Sequence, residues 1–238
     1  MPTRTRSLVI PMRNEASRIG RALEILVESG LCDDRLELLL VDDGSTDSTA
    51  EVAEAVIAGH GLLGKVLRQG VNRGKGVAVR EGLLQATGAT RVFVDADLPV
   101  APDDVERCFV TLEDGEADVV YGTRAHPDSR VLRRQPVLRV AASRAFSLWL
   151  RALGLAEDPD TQCGLKGVTA EAATLVVAPL VTEGYAFDVE LLTRADRARL
   201  QVTPVPVQWS HVAAGNVLPL RDGLAAARAA WRIRSLLR

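Results

Sequence analysis

The stretch that decides the fold is RVFVDADLPV, residues Arg91–Val100. Val92-Phe93-Val94 is an apolar run with two β-branched residues, the composition of a buried strand. It runs straight into Asp95-Ala96-Asp97. In extended backbone, residues i and i+2 project to one side, so the two carboxylates converge. Like charges at that range repel unless a cation or a donor lies between them. Mg2+ and Mn2+ suit one or two carboxylates plus substrate phosphates. A solvated turn is the plain alternative for the same two acids.

Upstream, strands and helices alternate. Ser7–Pro11 (SLVIP) reads as a strand, and Glu15–Ser29 follows with helical periodicity through Ile19, Leu23 and Leu26. Leu36–Ser45 is a second strand ending in acids, followed by a helix with Asp47 in its first turn. KVLRQ is a weaker strand, and the helix GKGVAVREGLLQATG closes at Gly88, a C-cap candidate. Such a run predicts a doubly wound, mostly parallel sheet of the α/β class. Ligands then sit beyond the carboxyl ends of the strands. Three of those ends carry chemistry: Arg13-Asn14-Glu15, Asp42-Asp43-Gly44-Ser45 and Asp95-Ala96-Asp97. A further strand, Ala117–Arg124, ends in Arg124. The second half is less regular, with joints near Pro127, Pro159 and Pro179. CGLKGVT and VTPVPVQW read as strands, and Pro204 and Pro206 place the latter at a sheet edge.

Composition narrows the function. The chain has 238 residues, net charge −2 and only 4% aromatics, which argues against nucleic-acid binding. Cys32, Cys108 and Cys163 are far apart and odd in number, with no metal spacing, and read as reduced buried thiols. The N-terminal apolar run is too short for a signal peptide, and no window of about 18 apolar residues exists. The expectation is a cytoplasmic protein.

Asn72–Gly76 (NRGKG) has the form of a phosphate-handling loop, with Lys75 at a helix N-terminus, but it is not a Walker motif. Asp42-Asp43-Gly44-Ser45 fits a turn and helix cap equally well as a carboxylate for a ribose or a base. A nucleotidyltransferase shares the α/β fold and a carboxylate site, but usually has a glycine-rich loop after the first strand; PMRNE has no glycine.

VIPMRNE, VDDGSTDST, NRGKGVAVREGLLQATG, FVDADL, YGTR, DTQCGLKG, FDVELL and PVPVQW occur in this order from about Leu8 to Trp209. In these blocks the chain resembles family 2 glycosyltransferases of the GT-A fold, within them the dolichyl- or polyprenyl-phosphate glucosyl- and mannosyltransferases. The resemblance implies an NDP-sugar donor, UDP-glucose or GDP-mannose, with a Rossmann-like half binding it. Pro11, Arg13, Glu15, Asp43 and Lys75 would face the nucleotide. Asp95 and Asp97 would hold the metal and diphosphate, and Ala96 would leave room for the donor. Where many members carry Gln, this chain has Pro99, so a third metal contact must come from elsewhere. Asp160, Gln162, Lys166, Asp188, Glu190 and Trp209 would line the sugar and acceptor side, with His211 a pocket wall. The implied reaction is inverting transfer of a hexose, glucose first, to a polyprenyl phosphate; a soluble small-molecule acceptor is the alternative. A phosphate acceptor is already ionised at neutral pH, its second pKa being about 6. A hydroxyl acceptor would need Asp160 or Asp188 as base. Asp97, Asp160 and Asp188 are therefore the catalytic candidates.

Between Arg124 and Arg151 there are seven arginines and one acid, a local balance of +6. They make a solvated basic face or a seat for an anionic acceptor; Arg124 is the first candidate, ahead of Arg134 and Arg144. Leu138–Gly154 is apolar nearly all round, which suits a core helix, a membrane surface or a lipid groove. The division expected is a GT-A domain over 1–216, with a nucleotide-sugar half (1–125) and an acceptor half (126–216). A basic amphipathic helix over 217–238 follows. Its face of Leu220, Leu224, Ala227 and Trp231 would meet a membrane or pack within the chain or a homodimer.

Overall fold

The computed structural model describes residues 5–133, 136–155, 158, 160–211 and 219–237. Arg134, Pro159 and the proposed boundary at 216/217 lie outside them, as do the side chains of Leu220 and Leu224. The order of elements in the alternating half is as read: β1 (Arg6–Met12), α1 (Ile19–Glu28), β2 (Leu36–Asp42), α2 (Thr49–His60), β3 (Gly64–Arg68), α3 (Lys75–Gln85), β4 (Thr90–Val94) and, after a helix α4 (Pro102–Glu113) that the sequence reading did not assign, β5 (Val119–Thr123). Then come β6 (Arg130–Arg133), α5 (Val137–Ala152), β7 (Leu165–Thr169), the short α6 (Ala170–Ala172), continued by a π-helical turn over Ala173–Val177, α7 (Phe187–Arg197), β8 (Val202–Pro206), β9 (Gln208–Ser210) and α8 (Pro219–Leu236).

The seven-stranded sheet has the order β3-β2-β1-β4-β7-β5-β8, and β6 pairs with β9 in a small second sheet. β1, β2, β3 and β4 are parallel, and β5 and β8 are parallel. β7 runs antiparallel to both neighbours, so the sheet is mixed at that strand. Alternation along the strands feeds both faces. Leu8 and Ile10 pack with α1, α2 and α4 residues, including Leu23, Ala53 and Phe109. Val9 points the other way and packs with α3, α6 and α7 residues, including Val79, Ala172 and Phe187. Pro11 is tolerated in β1 because the ladder to β4 ends at Val9↔Phe93. VTPVPVQW is not one strand: it divides at Val207 into β8, which carries Pro204 and Pro206 at the expected sheet edge, and β9 in the second sheet.

Other local readings change. α1 begins at Ile19 and not at Glu15, whose N–H donates to Thr49 Oγ1 (2.8 Å) and whose carbonyl accepts from the Ile19 N–H (2.8 Å). Gly88 does not cap α3: the helix ends at Gln85 with Ala86 extended, and the Gly88 N–H donates to Ser7 Oγ on β1 (2.9 Å). α5 is not a core helix. Leu150 is its one side chain that is fully buried among the described residues, and Leu148 and Trp149 face outward. α5 packs with α8 on α7 through Leu150, Val189, Ala230 and Ile233. The inward face of α8 is therefore Ala226, Ala230 and Ile233, while Trp231 is 60% exposed. Among the described residues, no helix is long and apolar enough to cross a membrane. Cys32, Cys108 and Cys163 are free thiols, the last two buried.

Candidate functional site

Parallel pairing brings the loaded ends of β1, β2 and β4 to one rim. Met12 is level with Asp42, and Val9 with Phe93, one residue short of the end of β4. The first two loops interlock. Asn14 N–H donates to Ser45 Oγ (3.0 Å), and Asn14 Oδ1 accepts from the Thr46 N–H (2.8 Å). Arg13 is exposed at this rim, and its charge acts on the buried Asp43. Glu15 pairs with Arg18 (2.6 Å).

Asp43 is committed within the fold. Its carboxylate accepts the N–H groups of Arg73 (2.5 Å) and Gly74 (3.0 Å), which fixes the NRGKG loop to the end of β2. Gly74 has φ +99°, and a Cβ there would fall 2.4 Å from Glu183 O, so the close approach of that loop requires glycine. The Gly76 N–H donates to the same carbonyl (2.7 Å). Lys75 is thereby presented at the first turn of α3, and its Nζ reaches Asp95 Oδ1 at 2.6 Å. The rings of Phe187 and Tyr185 lie 5.8 and 5.9 Å from that ammonium.

The backbone is not extended through Asp95–Asp97 as expected: β4 ends at Val94 and the chain turns tightly, the Leu98 N–H donating to Asp95 O (2.9 Å) with Leu98 at φ +43°. The turn presents Asp97, whose carboxyl is pushed up by burial and then by the charge of Asp95. Ala96 is buried between them. The Asp95 carboxylate rests against Gly164, with its N–H donating to Gly164 O (3.0 Å). Behind it, Lys166 on β7 and Asp188 on α7 form a buried pair (2.8 Å), with Lys166 also donating to Cys163 O (2.6 Å). Burial raises the Asp188 carboxyl, partly offset by Lys166 and Lys75. Two carboxylates and two ammonium groups from four elements thus share one low-dielectric region.

On the other side of β7, Arg124 grips Asp160 from three points: its Nε (2.7 Å), its Nη2 (2.5 Å) and its backbone N–H (2.6 Å). Burial pushes the Asp160 carboxyl up, but the Arg124 hydrogen bonds outweigh it and hold it below the usual range. A carboxylate so held is a poor base, which sets Asp160 apart from its expected proton-accepting role. Arg124 lies over Trp209 (5.0 Å), and His211 stacks on the same indole (6.0 Å). Gln162 is exposed. Glu190 departs from the expectation of a substrate contact. It is 1% exposed and accepts from the Val181 and Thr182 N–H groups (3.2 and 2.8 Å) and from Arg194 Nε (2.8 Å). It anchors the loop whose Glu183 carbonyl supports Gly74 and Gly76. Gly164, Tyr185 and Glu183 were missed by reading the sequence; the glycine in DTQCGLKG was the available signal for the first.

The donor set fits a divalent ion. Asp95 and Asp97 offer hard oxygens, and among the described residues no cluster of three or more His, Cys, Asp or Glu could hold a metal unaided. Two carboxylates completed by phosphate oxygens are the pattern of Mg2+ or Mn2+.

Residues 7–170 match the model of glycosyl transferase family 2. A dolichyl-phosphate beta-glucosyltransferase of Dictyostelium discoideum is 31% identical over 96% of this chain and 73% of its own length. The human protein of that name is 31% identical over 92% of this chain and 71% of its own length. Among solved structures, Mycobacterium tuberculosis glucosyl-3-phosphoglycerate synthase, in complex with Mn2+, UDP and phosphoglyceric acid, superposes with a TM-score of 0.71. It is 24% identical, covering 98% of this chain and 78% of that one, which shows a shared fold.

Proposed function

Since the chain belongs to glycosyl transferase family 2 and is a glycosyltransferase, we propose that it moves glucose from UDP-glucose to a polyprenyl phosphate. The observation that carries the reading is the Asp95-x-Asp97 pair at the end of β4, with Lys75 on one side and Arg124 across β7. Similarity to dolichyl-phosphate beta-glucosyltransferases supports both sugar and acceptor. GDP-mannose is the competing donor.

Asp95 and Asp97 would hold Mg2+ or Mn2+, which when bound neutralises charge on the leaving diphosphate. Lys75, at the first turn of α3, supplies a further positive charge for the same phosphates. An α-linked nucleotide sugar and a β-linked product require attack from the face opposite the diphosphate. The acceptor phosphate arrives ionised, its second pKa being about 6, so the chain need not remove a proton. Arg124 orients that anion, and Asp160 and Trp209 hold Arg124 in place. Asp188 acts through the lysines, as a positioning carboxylate.

A peripheral membrane contact belongs to this reading. Leu148, Trp149, Trp231 and Leu236 are 65, 40, 60 and 52% exposed on α5 and α8, with Arg144, Arg228 and Arg232 exposed on the same helices. Apolar and aromatic groups beside arginines suit an anionic lipid surface. A soluble phosphorylated acceptor is the second reading, because Arg124 would serve any phosphate. The test is transfer of labelled glucose from UDP-glucose, and of mannose from GDP-mannose, into polyprenyl phosphate. Label in the lipid fraction from UDP-glucose alone is expected; label from GDP-mannose alone would overturn the donor assignment.

A further inference from the structure

Lys75 occupies the carboxylate that a metal would use. Its Nζ lies 2.6 Å from Asp95 Oδ1, and the two side chains are 20 and 28% exposed. The ammonium is well shielded, with the rings of Phe187 and Tyr185 nearby and the charge of Asp188 also acting on it. Asp188 is in turn paired with Lys166, so its charge is shared. Asp97 and Glu15 are the other carboxylates whose fields meet at this turn, and Arg18 pairs with Glu15.

We propose that Lys75 is an internal counter-cation that competes with the divalent ion for Asp95 and passes to the donor diphosphate, so that metal and nucleotide sugar bind as a coupled pair. The proposal rests on Asp95 and Asp97 being the metal seat. One carboxylate oxygen cannot hold an ammonium and a divalent ion without setting like charges against each other. Metal binding therefore releases Lys75, and the released lysine stands at the first turn of α3, on the same rim as Asp95. A diphosphate drawing Lys75 away frees Asp95 for the metal. The help is reciprocal, as linkage requires. Without the donor, Lys75 keeps the two-carboxylate seat from loading a metal that has nothing to act on.

The test follows Mn2+ binding directly, by the paramagnetic signal of the free ion, with no turnover. In donor-free protein, Lys75→Met is expected to bind Mn2+ about tenfold more tightly than wild type. Lys75→Gln, which keeps a polar side chain, should tighten it likewise, and Lys75→Arg, which keeps the charge, should not. The enhancement of Mn2+ binding by UDP is expected to shrink about tenfold in Lys75→Met. Unchanged or weaker Mn2+ binding by the donor-free Met and Gln variants would overturn the proposal. Absence of Mn2+ binding by wild type even with UDP would overturn the metal reading, and the proposal with it.

Discussion

Gly164 lies so close to Asp95 that a Cβ on it would fall 2.2 Å from Asp95 Oδ2 and 2.4 Å from Cγ. β7 is antiparallel to β4, and this contact is where its approach strand meets the end of β4. Gly164→Ala should displace the Asp95 carboxylate while leaving the backbone in an allowed conformation. A loss of about 10²-fold in kcat is expected, with a melting temperature close to wild type. Wild-type turnover by the alanine variant would show that Asp95 is not held there.

Asp97→Ala should lower kcat/KM for the nucleotide sugar about 10²- to 10³-fold at saturating Mn2+, the scale on which a charge-stabilising group acts. Release of nucleoside diphosphate gives the rate. Undiminished Mn2+-dependent turnover would remove Asp97 from the metal seat.

The Arg124–Asp160 pair makes a pH prediction about stability. Folded Asp160 holds its proton less readily than the unfolded side chain, whose pKa is about 3.9. Its stabilisation is therefore complete above that value and is lost as pH falls through the lower folded pKa. Asp160→Asn should cost about 1–3 kcal/mol at pH 7, and the difference from wild type should fade only as pH falls below about 3.9 in urea titrations. If Asp160 were the base, the variant would instead lose the alkaline-favoured limb of the rate profile with stability unchanged.

Leu148→Ser combined with Trp231→Ser should reduce binding to anionic vesicles several-fold and leave binding to neutral vesicles, already weak, unaltered. Sedimentation with vesicles measures both. Equal binding by wild type and variant would exclude the α5–α8 face as the lipid contact.

Much of this was legible in the sequence because strand ends announce themselves. Apolar runs ending in Arg13, Asp43 and Asp95 predict a parallel sheet and a common rim, and these residues do meet there. What was not legible depends on long-range pairing. Nothing local in LKGVT says that β7 inserts antiparallel between β4 and β5, and so nothing assigned Gly164 to Asp95. Glu190 sits beside Asp188 in the first turn of α7, yet one turns to Lys166 and the other to the Val181–Thr182 amides. Helix periodicity cannot assign those directions. On α8 two apolar stripes compete, and the packing of α5 and α7 selects Ala230 and Ile233 over Trp231. Arg124 and Asp160 are 36 residues apart and joined only by the fold.

The Asp95–Asp97 rim is proposed to transfer the sugar of a UDP-sugar to a lipid-linked phosphate. The most direct measurement is UDP release from UDP-glucose and Mn2+, with polyprenyl phosphate, with phosphoglyceric acid, or with neither. Fast release is expected with polyprenyl phosphate alone, reduced about 10²- to 10³-fold in Asp97→Ala. Release that ignores polyprenyl phosphate, or that needs phosphoglyceric acid instead, would contradict it.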